Sequence, residues 1–330
     1  MDLVSHAALA AACAGAAAKR AKLGAASAVA AVAGLAADSD TLIRSSADPL
    51  LLLETHRRFT HALPLVPLAA LVVAGLLFYF VRRKLSFRET YAFALLGYTS
   101  HCLLDACTSY GTQLFWPFSD VRIAFSNIAV FDPLFTVPTL LLAVFAAVKK
   151  RKALAAGALL WASFYLSLGG VQHERALREG ERVAASRGHE PVRIAAKPAL
   201  ASLLLWKVIY EHDGRYYVDG VRAGIHPKVY IGDSVEKLDV AKQFPWLDLG
   251  SQQARDLERF SRISDDLVAV ARDDASRVID VRYSMVPNEI DAFWAVELDP
   301  RADGTAHVGF EMTRERAPEQ ARRLLRMLFR

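Results

Sequence analysis

Histidine and aspartate residues lie in the first third of the chain at spacings that suit a metal site. His101 and Asp105 are four residues apart, so a helix would place both side chains on one face. His56 and His61 are five residues apart and need a turn to bring them together. Imidazole and carboxylate groups bind divalent ions such as Zn²⁺, Mn²⁺ and Fe²⁺. The candidate ligands are His6, Asp38, Asp40, His56, His61, His101 and Asp105.

These ligands predict a divalent metal cofactor, with zinc preferred and manganese or iron as alternatives. Such a site activates water or polarises an ester or phosphoryl oxygen. Asp40 is also a candidate general base for the attacking water. Arg57 and Arg58 lie among the ligands and are candidates for bidentate binding of a substrate phosphate, although solvation beside anionic headgroups explains them equally well. For His101 and Asp105 alone, the simpler alternative is a hydrogen bond between packed helices.

The elements that must position these residues are apolar segments. Residues 62–81 run for 20 positions without a charge, the length that a helix needs to cross a membrane. Apolar segments that are shorter, some with a few polar residues, cover residues 3–18, 23–37, 90–107, 133–148 and 153–171. We therefore predict an α-helical polytopic membrane domain of about six helices over residues 1–172.

Three dense clusters of lysine and arginine predict the orientation of these helices. They lie at residues 19–22, 82–88 and 149–152, and six helices would place all three on one side. The positive-inside rule makes that side cytoplasmic, so the candidate ligands and the C-terminal half fall on the extracytoplasmic side. The net charge of +5 is thus a topology signal, and no nucleic-acid partner is predicted. A cleaved signal peptide is the alternative at the N-terminus, but residues 1–10 have no basic region.

The C-terminal half has the composition of a small soluble α+β domain over residues 198–330, joined by a charged helical linker at 173–197. Turn signals such as Asp213-Gly214 and Asp303-Gly304 separate short β-rich stretches. Strands are predicted at residues 203–210, 215–221, 228–231, 276–283, 292–298 and 307–312, and helices at 251–261 and 318–329.

Several motifs of residues 1–170 occur in a characteristic order. They are His6, Asp38-Ser39-Asp40, His56-Arg57-Arg58-Phe59-Thr60-His61, the run from Gly97-Tyr98 to His101 and Asp105, Tyr110-Gly111 and Trp116-Pro117-Phe118. Together they resemble the YdjM-type family of bacterial inner-membrane metal-dependent hydrolases. Ala37 departs from the proline usual in that family. Residues 205–207 and 280–284 are similar to a soluble extension of some members. A more distant similarity to zinc-dependent phospholipase C implies a phosphoester substrate.

The sequence therefore predicts a membrane hydrolase that acts on a lipid or phosphoester at the extracytoplasmic face, with membrane lipids as partners. The C-terminal domain would cap the site or select the substrate. One alternative is an ion or proton transporter, which predicts ionisable groups distributed through the membrane depth. Another is a non-catalytic membrane scaffold, which predicts no metal.

Overall fold

The computed structural model describes residues 1–312 and 317–329. The chain divides into two compact units. The first unit, called the membrane unit below, comprises Met1–Ile43 and Thr55–Val171. The second, called the C-terminal unit, comprises Gln172–Arg330 together with the segment Arg44–Glu54.

Among the described residues, helices occupy all six apolar segments that the sequence predicts. They are α1 (Leu3–Ala17), α2 (Leu23–Ala36), α4 (Val66–Val81), α5 (Phe87–Ala106), α6 (Pro133–Lys149) and α7 (Lys152–Ser186), with a short helix α3 (Leu51–Thr55) before α4. Side-chain caps explain where three of them begin. Asp2 accepts from two backbone amides of α1, Ser86 and Glu89 form a capping box on α5, and Asp132 caps α6.

Among the described residues, fewer helices qualify as candidate membrane spans than the six that the sequence predicts. Two described stretches are long and apolar enough to cross a membrane, Arg20–Leu42 and Lys152–Ser186, and a bent pair that includes α4 makes a third if it counts as one span. Helices α1 and α6 have 15 and 17 residues, fewer than the 20 or so that a straight span needs. Helix α5 is long enough, but its ionisable residues make it less apolar. Six membrane-spanning helices are therefore not confirmed.

Small residues let the helices of the membrane unit approach closely. A Cβ atom on Gly97 of α5 would lie 2.1 Å from the backbone oxygen of Ala30 on α2. The core around this contact is mostly alanine, including Ala10, Ala26, Ala33 and Ala94. Such packing brings backbones together without large side chains between them. It places the end of α2, which leads to Asp38, beside the last turns of α5.

Among its described residues, the C-terminal unit contains two antiparallel sheets, three further helices, the end of α7 and most of α3. The strands are β1 (Arg193–Pro198), β2 (Leu205–His212), β3 (Arg215–Arg222), β4 (Lys228–Tyr230), β5 (Ser234–Glu236), β6 (Val268–Val270), β7 (Arg277–Asp280), β8 (Trp294–Glu297) and β9 (Gly309–Met312). One sheet has the order β1-β2-β3-β4, with β5 also on β3, and the other has the order β6-β7-β8-β9. The helices are α8 (Val240–Gln243), α9 (Gln252–Ile263) and α10 (Ala317–Phe329). All six predicted strands and both predicted helices are present, while β1, β5 and β6 were not predicted.

The charged helical segment predicted at residues 173–197 is helical only as far as Ser186. Gly188 adopts a left-handed φ of 71°, and the amides of Gly188 and His189 donate to Ala185 and Ala184. This pair of hydrogen bonds is a Schellman motif, which ends the helix. The chain then forms β1, which pairs with β2. Alanine and charged residues give β1 little β-propensity, so its strand structure depends on the neighbouring strand.

The segment Arg44–Glu54 packs within the C-terminal unit although it lies between two parts of the membrane unit in sequence. Leu50 is fully buried in a core with Phe244, Leu257 and Phe260. The sequence analysis did not predict this arrangement, because a short stretch with four leucines after a polar start resembles any loop that precedes a membrane helix.

Gly97→Ala tests whether the approach of α2 and α5 depends on a missing side chain. The added methyl group meets backbone rather than a mobile side chain, so we expect a loss of roughly 1–3 kcal/mol or more, as in other overpacked cores. Gly75→Ala in α4 is the matched control, because nothing lies within 4 Å of its added Cβ. Thermal unfolding in detergent measures both. Equal unfolding temperatures for the two variants would contradict the packing described here.

Candidate metal centre

Three separate stretches of the membrane unit supply the candidate ligands. Asp38 and Asp40 lie on the 3₁₀ turn Ala37–Leu42 that follows α2, and His56 and His61 lie on the loop that leads to α4. His101 and Asp105 occupy successive turns near the end of α5. All of these side chains except those of Asp38 and His56 are fully buried.

Four ligand atoms converge on one point. His61 Nε2 lies 2.9 Å from His101 Nε2, 3.2 Å from Asp105 Oδ2 and 3.5 Å from Asp38 Oδ1. His101 Nε2 lies 3.4 Å from each of the same two carboxylate oxygens. Ligands about 2.0–2.2 Å from a tetrahedral ion are about 3.3–3.6 Å apart. Four of these five separations lie close to that range, and the distance between the two nitrogens is shorter.

The two oxygens of Asp105 have different surroundings. Oδ1 contacts Arg57 Nη2 at 3.0 Å, His6 Nε2 at 3.1 Å and the amino group of Met1. Oδ2 is buried and accepts no hydrogen bond from any described residue, although it faces both His61 and His101. Buried polar atoms nearly always have a partner, so a cation between Oδ2 and the two imidazoles would complete its coordination. Two imidazoles and two carboxylates therefore fit a divalent metal ion.

Asp40 organises the loop that carries the histidines. Its Oδ2 accepts from the backbone amide of Arg57 at 3.0 Å and from Thr60 Oγ1 at 2.7 Å, and its Oδ1 lies 3.0 Å from His56 Nδ1. Thr60 Oγ1 also lies 2.9 Å from His61 Nδ1, so an Nδ1–H donated to this oxygen leaves Nε2 free to bind a metal. The sequence analysis did not assign Thr60 a role, although its position in the His-Arg-Arg-Phe-Thr-His motif was a signal.

Arg57 combines a buried charge with an unusual backbone. Its φ of 62° lies in the left-handed region, which costs a residue other than glycine about 1–3 kcal/mol and persists only where the surroundings enforce it. Its amide is held by Asp40, and its guanidinium contacts Asp105 and donates to Thr108 Oγ1 at 2.7 Å. These contacts make Arg57 a partner of the ligand Asp105.

Arg58 is the more accessible of the two predicted substrate arginines. Its side chain is 37% exposed, lies over the ring of Trp116 and is 3.9 Å from the exposed carboxylate of Asp120. The loop that contains Trp116 and Asp120 also carries exposed aromatic side chains at Phe115, Phe118 and Phe125.

The structure brings six of the seven predicted ligands into two overlapping groups. Asp38, His61, His101 and Asp105 form one group, and Asp38, Asp40 and His56 form the other, with one ligand atom of each residue within 4.8 Å of the others in its group. His6 belongs to neither group. It stacks on His101 with ring centroids 3.6 Å apart. It also contacts Oδ1 of Asp105, the oxygen that does not face His61 and His101, as residues that orient metal ligands do.

The comparison with known proteins identifies a family over the part of the chain that contains these residues. The sequence model described as "YdjM inner membrane protein" matches residues 1–176. The chain belongs to this family. The YdjM match covers all seven predicted ligands and assigns the protein to the inner membrane.

A curated relative adds a partial match. The uncharacterized protein YfhP of Bacillus subtilis (strain 168) is 31% identical over 98 residues, which are 30% of this chain and 29% of that protein. The chain therefore covers less than a third of the length of this relative. No solved structure matches the chain.

Replacing single histidines should separate the ligands from their supports. In His101→Ala, we expect the metal content of detergent-purified protein to fall from about one ion per chain to near zero. In His6→Ala, the ligands remain, and we expect binding about 10–100-fold weaker, the usual effect of losing a residue that orients a ligand. Elemental analysis and competition with a chelator measure both. His226→Ala, an exposed histidine of the C-terminal unit, is the control.

Unchanged metal content in His101→Ala would contradict the assigned ligands. A wild-type stoichiometry of two ions that falls to one in His56→Ala would show that the second group also binds metal.

Proposed function

We propose that this YdjM family protein is a metal-dependent hydrolase of the inner membrane. The observation that supports this proposal is the convergence of Asp38, His61, His101 and Asp105 around a buried, unpartnered carboxylate oxygen. A divalent ion, zinc before manganese or iron for this donor set, would supply a Lewis acid for an ester or phosphoryl oxygen and acidify a nearby water.

His56 and Asp40 are placed to handle the proton of the attacking water. Asp40 lies against His56 Nδ1 and fixes the orientation of its ring, while the His56 side chain is 23% exposed. His56 Nε2 would take the proton from water and return it to the leaving group. Asp40, which the sequence predicts as the general base, has donors on both of its oxygens, so in this proposal it acts through His56.

A lipid or phosphoester is the substrate class that we propose. Arg58 has an accessible guanidinium beside the ligand loop, and arginine binds phosphate oxygens through two parallel hydrogen bonds. The exposed Phe115, Phe118 and Phe125 follow shortly after the ligand Asp105 in the chain, and aromatic side chains are favoured at membrane interfaces. Arg57, by contrast, would balance the charge of Asp105 rather than bind the substrate.

The placement of the charges favours a hydrolase over a transporter. Within the described part of the membrane unit, the buried aspartate, arginine and histidine side chains are those of His6, Asp40, Arg57, His61, His101, Asp105 and Asp132. All of them belong to helix ends or to the loops beside them. A proton or ion pathway instead needs such groups through the membrane depth. With six helices and basic loops in the cytoplasm, these ends would face the periplasm.

Hydrolysis of phospholipids in bicelles and of the soluble diester bis(p-nitrophenyl) phosphate tests the activity. In His56→Ala, we expect kcat to fall by about 10²–10⁴-fold, the usual contribution of a general base, while the ion at the four-ligand group remains bound. His101→Ala should lose activity together with the metal, and His226→Ala should keep both. Hydrolysis by His101→Ala at the wild-type rate would contradict the proposal.

A reporter fused after Arg330 tests the topology. We expect a phosphatase that is active only in the periplasm to be active, and a fluorescent protein that matures only in the cytoplasm to stay dark. The opposite pattern would place the C-terminal unit in the cytoplasm and would contradict the orientation derived from the basic clusters.

A further inference from the structure

Lys207 is a lysine in the interior of the C-terminal unit. It lies on β2 opposite Lys197 of β1, and only 3% of its surface is exposed. Ile209, which shares its face of β2, packs in one core with Ile279 of the second sheet. The Lys207 side chain therefore enters the core between the two sheets, where an ammonium group is costly unless it is paired.

The carboxylates around Lys207 do not pair with it. Arg282 Nε and Nη2 donate to the two oxygens of Asp280 at 2.9 and 2.7 Å, so that carboxylate is already engaged. Within the described residues, no carboxylate forms an ion pair with Lys207. Burial without such a partner favours the neutral amine. The loss of hydration lowers the pKa of Lys207 to about 7, although the charges of Asp280, Glu289 and Asp291 raise it.

The amine of Lys207 lies against a serine hydroxyl. Lys207 Nζ is 2.8 Å from Ser284 Oγ and donates to the carbonyl oxygen of Glu289 at 2.8 Å. The Ser284 hydroxyl is also 2.8 Å from the carbonyl oxygen of Val286, so its proton has two acceptors, that carbonyl and the neutral amine. Ser284 itself is half-buried. A neutral lysine in contact with a serine is an arrangement that activates the hydroxyl as a nucleophile.

A cavity of about 280 Å³ lies beside the loop that carries Ser284. Its lining includes Met285, the residue after Ser284, and the apolar side chains of Ile290 and Phe293. This volume is below that of most pockets for drug-sized ligands, so it suits a small group. The backbone amide of Ser284 donates to no described residue and is available to an oxyanion.

We propose that Ser284 and Lys207 form a second catalytic centre, which cleaves small esters or amides through an acyl-enzyme. Lys207 Nζ takes the hydroxyl proton as Ser284 Oγ bonds to the carbonyl carbon, and it then gives that proton to the departing alcohol or amine. Lys207 next takes a proton from water, whose oxygen bonds to the acyl carbon and displaces Ser284 Oγ. The proton returns to Oγ, so the net reaction consumes one water and releases a carboxylic acid.

A short-chain alkyl fluorophosphonate tests the pair in the full-length protein in detergent, because its adduct on a serine oxygen is stable. Peptide mapping by mass spectrometry identifies the modified residue. We expect modification of Ser284, with a rate that rises about tenfold per pH unit below about pH 7 and levels off above it as Lys207 loses its proton. An unmodified Ser284 in the folded wild type, or a rate that is constant over this pH range, would overturn the proposal.

Substitutions separate a catalytic pair from a structural contact. Lys207→Met removes the base, and we expect the rate at Ser284 to fall about 10²–10⁴-fold. Lys207→Arg keeps a cation beside the loop but stays protonated, so it should not restore the rate. Lys197→Met removes the buried lysine opposite Lys207 and is the matched control, with the wild-type rate expected. A wild-type rate in Lys207→Met or Lys207→Arg would contradict the role of Lys207 as a base.

Metal removal distinguishes this centre from the proposed metal function. The pair belongs to the C-terminal unit, whereas the candidate metal ligands belong to the membrane unit. We expect treatment of the wild type with EDTA to leave the rate of Ser284 modification unchanged while it abolishes metal-dependent hydrolysis. Modification of Ser284 that requires bound metal would contradict a separate centre.

Discussion

The buried carboxylate of Asp105 is the group on which the arrangement of the membrane unit depends. An ionised carboxylate away from water costs several kcal/mol unless nearby charges and donors compensate for it. Arg57, His6 and the amino group of Met1 contact one of its oxygens. The other faces two imidazoles, so a divalent cation is the partner that would complete its surroundings.

Bringing that carboxylate beside Asp38 and the histidines requires helices with small side chains and a loop with a fixed shape. The contact between Gly97 and Ala30 allows α5 to lie against α2 a single turn before His101. Asp40 then holds the loop through an amide, a hydroxyl and an imidazole, which compensates for the left-handed backbone of Arg57. In this account, Asp40 supports catalysis through hydrogen bonds to its neighbours.

The sequence was sufficient to select six candidate ligands that the structure brings together, because ionisable side chains in an apolar domain are rare enough to stand out. The four-residue spacing of His101 and Asp105 also predicted their shared helix face. The roles of individual residues could not be predicted from the sequence. The contact of His6 with Asp105, and the hydrogen bonds that join Thr60 to Asp40 and His61, depend on which elements pack together. The position of Leu50 in the C-terminal core was equally hidden, because it is a contact between residues about 200 positions apart. Helices were easier to predict than spans, since an alanine-rich stretch can form a helix without being long or apolar enough to cross the membrane.

X-ray absorption at the edge of the metal in purified wild-type protein tests the central claim most directly, because it reports the ligand atoms. The account predicts a divalent ion with two imidazole nitrogens and at least two carboxylate oxygens at about 2.0–2.2 Å, and no sulfur. The free cysteine Cys102 is buried one residue after His101, so sulfur is a real alternative. Sulfur at about 2.3 Å, or a shell of oxygens without imidazole, would contradict the metal centre formed by Asp38, His61, His101 and Asp105.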